Sequence, residues 1–379
     1  MLTVEGITVG FNNVPIIEDI SFQVKKGETA VLMGPNASGK TTLIKAIAGL
    51  VTPLKGRIII DGNIVFEANG NSGRVILNTP PHLRGIGYVP SDYALFNHLT
   101  VRENVMLGLA KKSISSQEKE EKVKSVLEFM GLEKYSNMKP HALSSGLKQK
   151  VAIARAIVAE PKLLLLDEPF SSIDPASKPA LRYELKKLLN SYKITTIMAT
   201  HDVEDAFWFQ GRVLVLTGKR LTYDSPLLSI DTLNDEYLAK SLGFNVLEGR
   251  IVQNVAPGKY YVEIGSTMVL ARTSSIRKEL TNGSLVNIIF PSTGLKLIPG
   301  CEGNSRVNSL NASLLDVIER LDHVTLMLEV DPFKIKVDLP RGEWENIRSE
   351  VFKTCLTLLL PENKVSIIEK YEPNGEGNA

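Results

Sequence analysis

The chain has 379 residues, 43% of them hydrophobic and 23% charged, with a net charge of +2. That length exceeds one ordinary core and points to two domains, while the composition is that of a globular protein rather than a disordered or fibrous one. The near-neutral balance and the lack of a dense Lys/Arg cluster argue against a nucleic-acid partner. The longest apolar runs, such as Leu163 to Leu166 and Leu358 to Leu360, fall far below the roughly 18 residues of a membrane span. Met1 leads straight into Leu2-Thr3-Val4-Glu5, so no secretion signal is expected. Cys301 and Cys355 lie outside any C-x-x-C spacing and are expected to be two free, buried thiols in a reducing compartment.

In chain order, β-rich stretches at Ile7 to Phe11 and Ile16 to Val24, around Asn12-Asn13, predict an antiparallel layer. Ala30 to Met33 then reads as a buried strand and Thr42 to Ala48 as a helix. Between them stands Gly34-Pro35-Asn36-Ala37-Ser38-Gly39-Lys40-Thr41, a complete G-x-x-x-x-G-K-[ST] phosphate-binding loop. Gly34 and Gly39 let the backbone curl so that its N–H groups point at phosphate oxygens. Lys40 neutralises the outer phosphates, Thr41 offers a hydroxyl to Mg²⁺, and the N-terminus of the helix that begins around Thr42 adds a favourable dipole.

Residues 114 to 135 predict an amphipathic helix with Val123, Val126, Leu127 and Met130 on its apolar face and a solvated, charged start. Leu163 to Leu166 predicts a central buried strand ending in Asp167-Glu168, at the edge where ligands of α/β proteins sit. Asp167 is placed to hold Mg²⁺ with Thr41, and Glu168 to orient and deprotonate an attacking water. The alternation of strands and helices to about residue 240 predicts an α/β core with parallel strands.

From about Phe244 the pattern turns to β. Val324, Leu326, Leu328 and Val330 alternate with polar neighbours; beyond an Asp331-Pro332 turn Phe333, Ile335, Val337 and Leu339 do the same. Asn245 to Ile251 resembles Asn308 to Leu314, each opening a stretch of short strands, as two copies of one small β-barrel unit would. Residues 1–240 and 244–371 are therefore expected to form separate domains, followed by a flexible tail at 372–379.

Leu143-Ser144-Ser145-Gly146-Leu147, leading into a helix, resembles the signature of the nucleotide-binding subunits of ATP-binding-cassette (ABC) transporters. The resemblance runs from residue 3 to about 230. It implies a RecA-like α/β core with an antiparallel β layer and a helical subdomain. It also implies that Phe11 stacks on adenine, that Ser171-Ser172-Ile173-Asp174 forms the loop after the catalytic carboxylate, and that His201 contacts the γ-phosphate. Ser144 and Gly146 would bind the ATP held by a second copy, in a head-to-tail dimer with two ATP molecules between the subunits.

Two positions depart from the family pattern. Ser91 stands where glutamine is usual, so metal sensing is expected to be weaker or to run through a water bridge. Ser145 and Leu147 replace a glycine and the glutamine of the signature. The C-terminal part resembles the TOBE-type, oligomer-binding-like folds of importer ATPases for molybdate, sulfate, iron and sugars. Ile64-Val65-Phe66 followed by Thr79 to Tyr88 is similar to molybdate and tungstate importers, with comparable stretches in sugar and iron relatives.

The resemblance thus implies an ATP hydrolase on the cytoplasmic face of the membrane, with ATP and Mg²⁺, separate permease subunits and an external solute-binding protein. Residues Tyr93 to His98 would lie near the permease. An ABC ATPase acting on DNA or ribosomes is the competing class, and the long coiled-coil insertion or second cassette usual there is missing from this sequence.

Overall fold

A parallel strand covered on both faces needs apolar side chains at every position, whereas a strand with one wet face alternates. Both patterns are realised here. The computed structural model describes residues 1–12, 14–69, 74–226, 233–273, 280–301, 307–352 and 355–369. Asn13 and the expected tail at 372–379 lie outside the described residues. The chain divides into two compact units, Met1–Leu227 and Leu228–Ala379.

The first unit opens with β1 (Leu2–Phe11), β2 (Val14–Val24), β3 (Thr29–Met33), α1 (Lys40–Ala48), β4 (Lys55–Ile60), β5 (Asn63–Ala68), β6 (Val75–Asn78) and β7 (Ile86–Val89). There follow α2 (Val101–Met106), α3 (Ser116–Phe129), α4 (Ser145–Ile157), β8 (Leu163–Asp167), α5 (Lys178–Tyr192), β9 (Thr195–Ala199), α6 (Val203–Phe209), β10 (Arg212–Thr217) and β11 (Arg220–Pro226). Strands β2-β1-β4-β5-β6 form an antiparallel layer. Strands β11-β10-β3-β9-β8-β7 form a second sheet, parallel except for β11. Leu43, Ile44 and Ile47 of α1 share a buried core with Leu163, Leu165, Ile197 and Leu214 of the parallel strands. In α3, Ser115 and Glu118 form a capping box, and Val123, Val126 and Leu127 are the buried residues of the helix.

The order β3-β9-β8 has a direct consequence. These strands run the same way, with Leu32 opposite Ala199 and Ala199 opposite Asp167. The loops that leave their C-terminal ends therefore start side by side, and those loops carry Lys40, His201 and Glu168.

The second unit contains α7 (Glu236–Ser241), β12 (Phe244–Ala256), β13 (Lys259–Ile264), β14 (Thr267–Arg272), β15 (Leu285–Pro291), β16 (Lys296–Pro299) and β17 (Ser309–Glu319). It ends with β18 (His323–Val330), β19 (Phe333–Pro340), α8 (Arg341–Val351), β20 (Leu356–Leu359) and β21 (Ser366–Glu369). Strands β12-β13-β14-β21-β15 close a barrel, and β16-β20-β17-β18-β19 form a five-stranded sheet.

The repeat read from Asn245 and Asn308 is a duplication with exchanged strands. The triplets β12-β13-β14 and β17-β18-β19 have the same antiparallel pairing, with a register break between Ile251 and Gln253 in one and between Leu314 and Asp316 in the other. The strand β16 that ends the first copy pairs with β20 of the second, and β21 that ends the second pairs with β15 of the first. The two asparagines hold this exchange reciprocally. Asn245 Nδ2 donates to Lys336 O (2.8 Å) and its Oδ1 accepts from Lys336 N (2.7 Å) on β19. Asn308 makes the matching pair with Leu270 on β14, at 3.4 and 2.6 Å.

The expectation of two free, buried thiols is corrected. Cys301 and Cys355 are both exposed and joined as a disulfide, with Cα atoms 5.3 Å apart. The reason is the exchanged pairing: Pro299 of β16 lies opposite Leu356 of β20, so residues 54 apart in sequence meet at the ends of adjacent strands.

Candidate functional site

The phosphate-binding loop leaves β3 and enters α1, and its glycines meet two steric demands. A side chain at Gly34 would strike Leu216 O, 2.3 Å from an added Cβ. Gly39 is the N-cap of α1 with φ 102°, and an added Cβ would lie 2.4 Å from Ile17. Ala37 (φ 63°) also takes the left-handed conformation at the exposed crest of the loop. Pro35 and Asn36 share that crest, and Thr42 follows on the first turn of α1.

Lys40 is only 6% exposed and curls back into the loop, where its ammonium donates to Gly34 O (2.8 Å) and Pro35 O (3.0 Å). Glu168 Oε1 lies 3.9 Å away. Burial lowers the Lys40 pKa, opposed by the charges of Glu168 and Asp167. Ser38 Oγ is buried without a hydrogen-bond partner. A cradle with an unused hydroxyl, a desolvated ammonium and the N-terminus of α1 fits an oxyanion of phosphate type.

Thr41 Oγ1 donates to Asp167 Oδ1 at 3.0 Å. Asp167 is 3% exposed, and burial pushes its carboxyl upward against the pull of Thr41, Lys45 and Lys40. Among the described residues, no cluster of three or more His, Cys, Asp or Glu is placed to hold a metal alone. A hydroxyl beside one carboxylate suits a hard cation that keeps waters and shares phosphate oxygens, as Mg²⁺ does.

Glu168 takes the left-handed conformation with φ 50°, uncommon for a non-glycine residue. Its N–H donates to Ala199 O (2.9 Å), while its carbonyl accepts the Ser171 hydroxyl (2.9 Å). The turn aims its carboxylate at His201, whose Nδ1 lies 2.8 Å from Glu168 Oε2. One oxygen thus faces the lysine and the other the histidine.

The remaining residues named from the sequence make other contacts. Ser144 is the N-cap of α4, with its Oγ accepting from Leu147 N at 3.4 Å, and Gly146 packs so closely that an added Cβ would lie 3.1 Å from Leu181. Asp174 Oδ1 accepts from Ser177 N (3.0 Å) and starts the turn into α5. Phe11 is 57% exposed at the end of β1. Ser91 is exposed just past β7. Among the described residues, no hydrogen bond or ion pair ties the side chains of Ser144, Asp174, Phe11 and Ser91 to Lys40, Thr41, Asp167, Glu168 or His201.

Two buried groups around the site were not singled out from sequence. Arg84 donates to Ala46 O (3.1 Å) and Ile47 O (2.8 Å), capping the C-terminal end of α1 behind the phosphate loop, and burial lowers its pKa to about 10. The Tyr88 hydroxyl is pushed upward by burial and by the neighbouring Asp167 and Asp92 charges. Both fall in the stretch Thr79 to Tyr88, whose resemblance gave them no role; the approach of β7 to α1 and β8 brings them in.

Residues 17–171 match the ABC transporter family. A molybdate/tungstate import ATP-binding protein of Pyrococcus abyssi is 39% identical over 257 residues, 67% of this chain and 71% of the relative. An Fe(3+) ions import ATP-binding protein of Serratia marcescens is 32% identical over 338 residues, 86% of this chain and 93% of the relative. Among solved structures, a dimeric ATP-binding cassette in a post-hydrolysis state with ADP and phosphate is similar with a TM-score of 0.52. It is 28% identical, covering 61% of this chain and all of that one.

Proposed function

The chain belongs to the ATP-binding subunits of ABC transporters, and from that membership we propose how its residues hydrolyse ATP for solute import. It is a nucleotide-binding ATP hydrolase that works with separate permease subunits and a second copy of itself. The observation that carries the residue assignment is the convergence of Lys40, Thr41, Asp167, Glu168 and His201 at the ends of three adjacent parallel strands.

In this reading the loop Gly34 to Thr41, with Thr42, holds the phosphates, and Lys40 neutralises the outer two. Thr41 and Asp167 would hold Mg²⁺, with Ser91 as the further residue assigned to it. The ion offsets phosphate charge when bound. Glu168 accepts a proton from the attacking water, and His201 orients both that carboxylate and the γ-phosphate. Phe11 stacks on the adenine. Ser144 and Gly146, at the start of α4, serve the ATP of the second copy, and Asp174, in the loop after Glu168, contributes to the nucleotide site.

No helix among the described residues is long and apolar enough to cross a membrane. The proposed location, which rests on the likeness to import ATP-binding proteins, is the cytoplasmic face of the membrane, docked on the permease. The cassette is assigned to 1–240 and the TOBE-like β domain to 244–371; the compact units divide earlier, after Leu227, so α7 belongs to the second unit. For the solute, the 39% identity to the molybdate/tungstate relative favours an oxyanion of that type. The longer match to the ferric-iron relative, which reaches 86% of this chain, supports iron as the second reading.

Lys40→Ala tests the assignment through binding of a fluorescent ATP analogue. A loss of at least the tenfold that about 1.4 kcal/mol represents is expected, and an affinity within about twofold of wild type would contradict it.

A further inference from the structure

Arg182, on α5, is 1% exposed, yet every nitrogen of its guanidinium meets a carboxylate. Nε donates to Asp205 Oδ1 at 2.7 Å, Nη1 to Glu204 Oε2 at 2.5 Å and Nη2 to Asp202 Oδ2 at 2.6 Å. All three acceptors follow directly on His201 in the chain. The residue before the histidine is tied to the same cluster, since Thr200 Oγ1 donates to Asp205 Oδ2 (2.5 Å) and accepts from Asp202 N (3.0 Å). Lys178, one turn earlier on α5, adds a contact of 3.5 Å to Asp202. His201 is therefore bracketed on both sides by groups that Arg182 organises.

The other contact of Arg182 concerns Glu168. Its guanidinium carbon lies 5.7 Å from the centre of the Phe170 ring, two residues beyond the glutamate. One buried cation thus touches the segments that follow both members of the 2.8 Å Glu168–His201 pair. A planar fork can bind three carboxylates and stack on a ring at once, which an ammonium cannot. Burial alone would push Asp202 upward, but the Glu204 amide and the charges of Arg182 and Lys178 hold it below the usual carboxylate value.

We infer that Arg182 is a positioning residue for hydrolysis, fixing the turn between β9 and α6 to the segment after Glu168 and so holding His201 against the carboxylate. The inference rests on the ATPase reading above. It separates Arg182 from ATP binding, because among the described residues Arg182 makes no hydrogen bond or ion pair to the loop from Gly34 to Thr41.

The test is a double-mutant cycle in the full chain, read as kcat and KM for ATP and as affinity for a non-hydrolysable analogue. Arg182→Lys is expected to lower kcat by about 10–100-fold, the cost of a small misplacement at a reacting centre. KM and analogue affinity should stay within about threefold, because the phosphate loop is untouched. In a His201→Ala background the same substitution should cost less than about twofold more, since both changes act through one residue.

Glu204→Gln removes one contact at a carboxylate that is 67% exposed, without stranding a buried charge. It should lower kcat in the same direction by a smaller factor, and it carries the cycle if Arg182→Lys does not fold. A folded Arg182→Lys, or Glu204→Gln in its place, with wild-type kcat overturns the inference alone. So does a loss that multiplies with that of His201→Ala. Absence of ATP hydrolysis by the wild-type chain would instead overturn the functional reading, and this inference with it.

Discussion

His201 Nδ1 lies 2.8 Å from Glu168 Oε2, although 33 residues separate them in the chain. Two features of the sheet produce that contact. Ala199 of β9 stands opposite Asp167 of β8, so the residues that follow each strand leave from neighbouring ends. The left-handed turn at Glu168 then swings its carboxylate toward the loop after β9.

Ser91 offers a sharp test of the metal site. A glutamine side chain carries its carbonyl oxygen several bonds beyond the backbone, whereas the serine hydroxyl stops after one carbon. Ser91→Gln is expected to raise ATP turnover or lower the Mg²⁺ needed for half-maximal rate, measured by phosphate release across a Mg²⁺ titration. If both Ser91→Gln and Ser91→Ala slow turnover, the hydroxyl itself orders a bridging water. No change in either variant would make the position a bystander.

The domain assignment predicts that residues 1–240 bind nucleotide without the β domain, because Lys40, Thr41, Asp167, Glu168 and His201 all precede the boundary. A fragment of those residues should bind an ATP analogue within about threefold of the full chain, well under the tenfold of about 1.4 kcal/mol. A soluble fragment that fails to bind would contradict the boundary.

In the C-terminal unit, Asp338 on β19 ties the residue after β15 to β18 and should make the stability of this unit depend on acid. Its carboxylate accepts from Ser292 (2.5 Å) and Thr325 (2.6 Å) and pairs with Lys336 (3.0 Å). Burial pushes it up, but these partners hold it below its ordinary value. A depressed folded pKa means the stabilisation is present above the unfolded value, near 3.9, and is lost as pH falls through the folded one. Trp344 fluorescence in a Trp208→Phe background should therefore show urea stability dropping below about pH 4. Asp338→Ala should cost about 1–3 kcal/mol at neutral pH, because Thr325 is left buried without its acceptor. It should also flatten the acid limb; an unchanged limb would remove Asp338 from the account.

The sequence made much of this site legible, for a physical reason. The phosphate loop, the apolar run before Asp167-Glu168 and the signature before α4 are local patterns whose chemistry depends on adjacent residues. The parallel core was equally readable, because Leu163 to Leu166 have no wet face. Arg84, Tyr88 and Arg182 were not readable, since their partners come from other elements and an isolated arginine or tyrosine carries no spacing signal. The repeat at Asn245 and Asn308 was visible, but its strand exchange was not, because pairing of β16 with β20 and of β21 with β15 is a long-range choice. The same pairing brings Cys301 to Cys355, which is why an expectation built on cysteine spacing failed.

Glu168→Gln most directly tests the central claim that this carboxylate is the base of an ATP hydrolase. The substitution keeps the shape of the side chain but removes its capacity to take a proton. Phosphate release under saturating Mg²⁺-ATP should fall by about 10²–10⁴-fold, the contribution of one general base. ATP binding should persist, and gel filtration with ATP should show a stable dimer holding two nucleotides. Phosphate release at the wild-type rate would contradict the account.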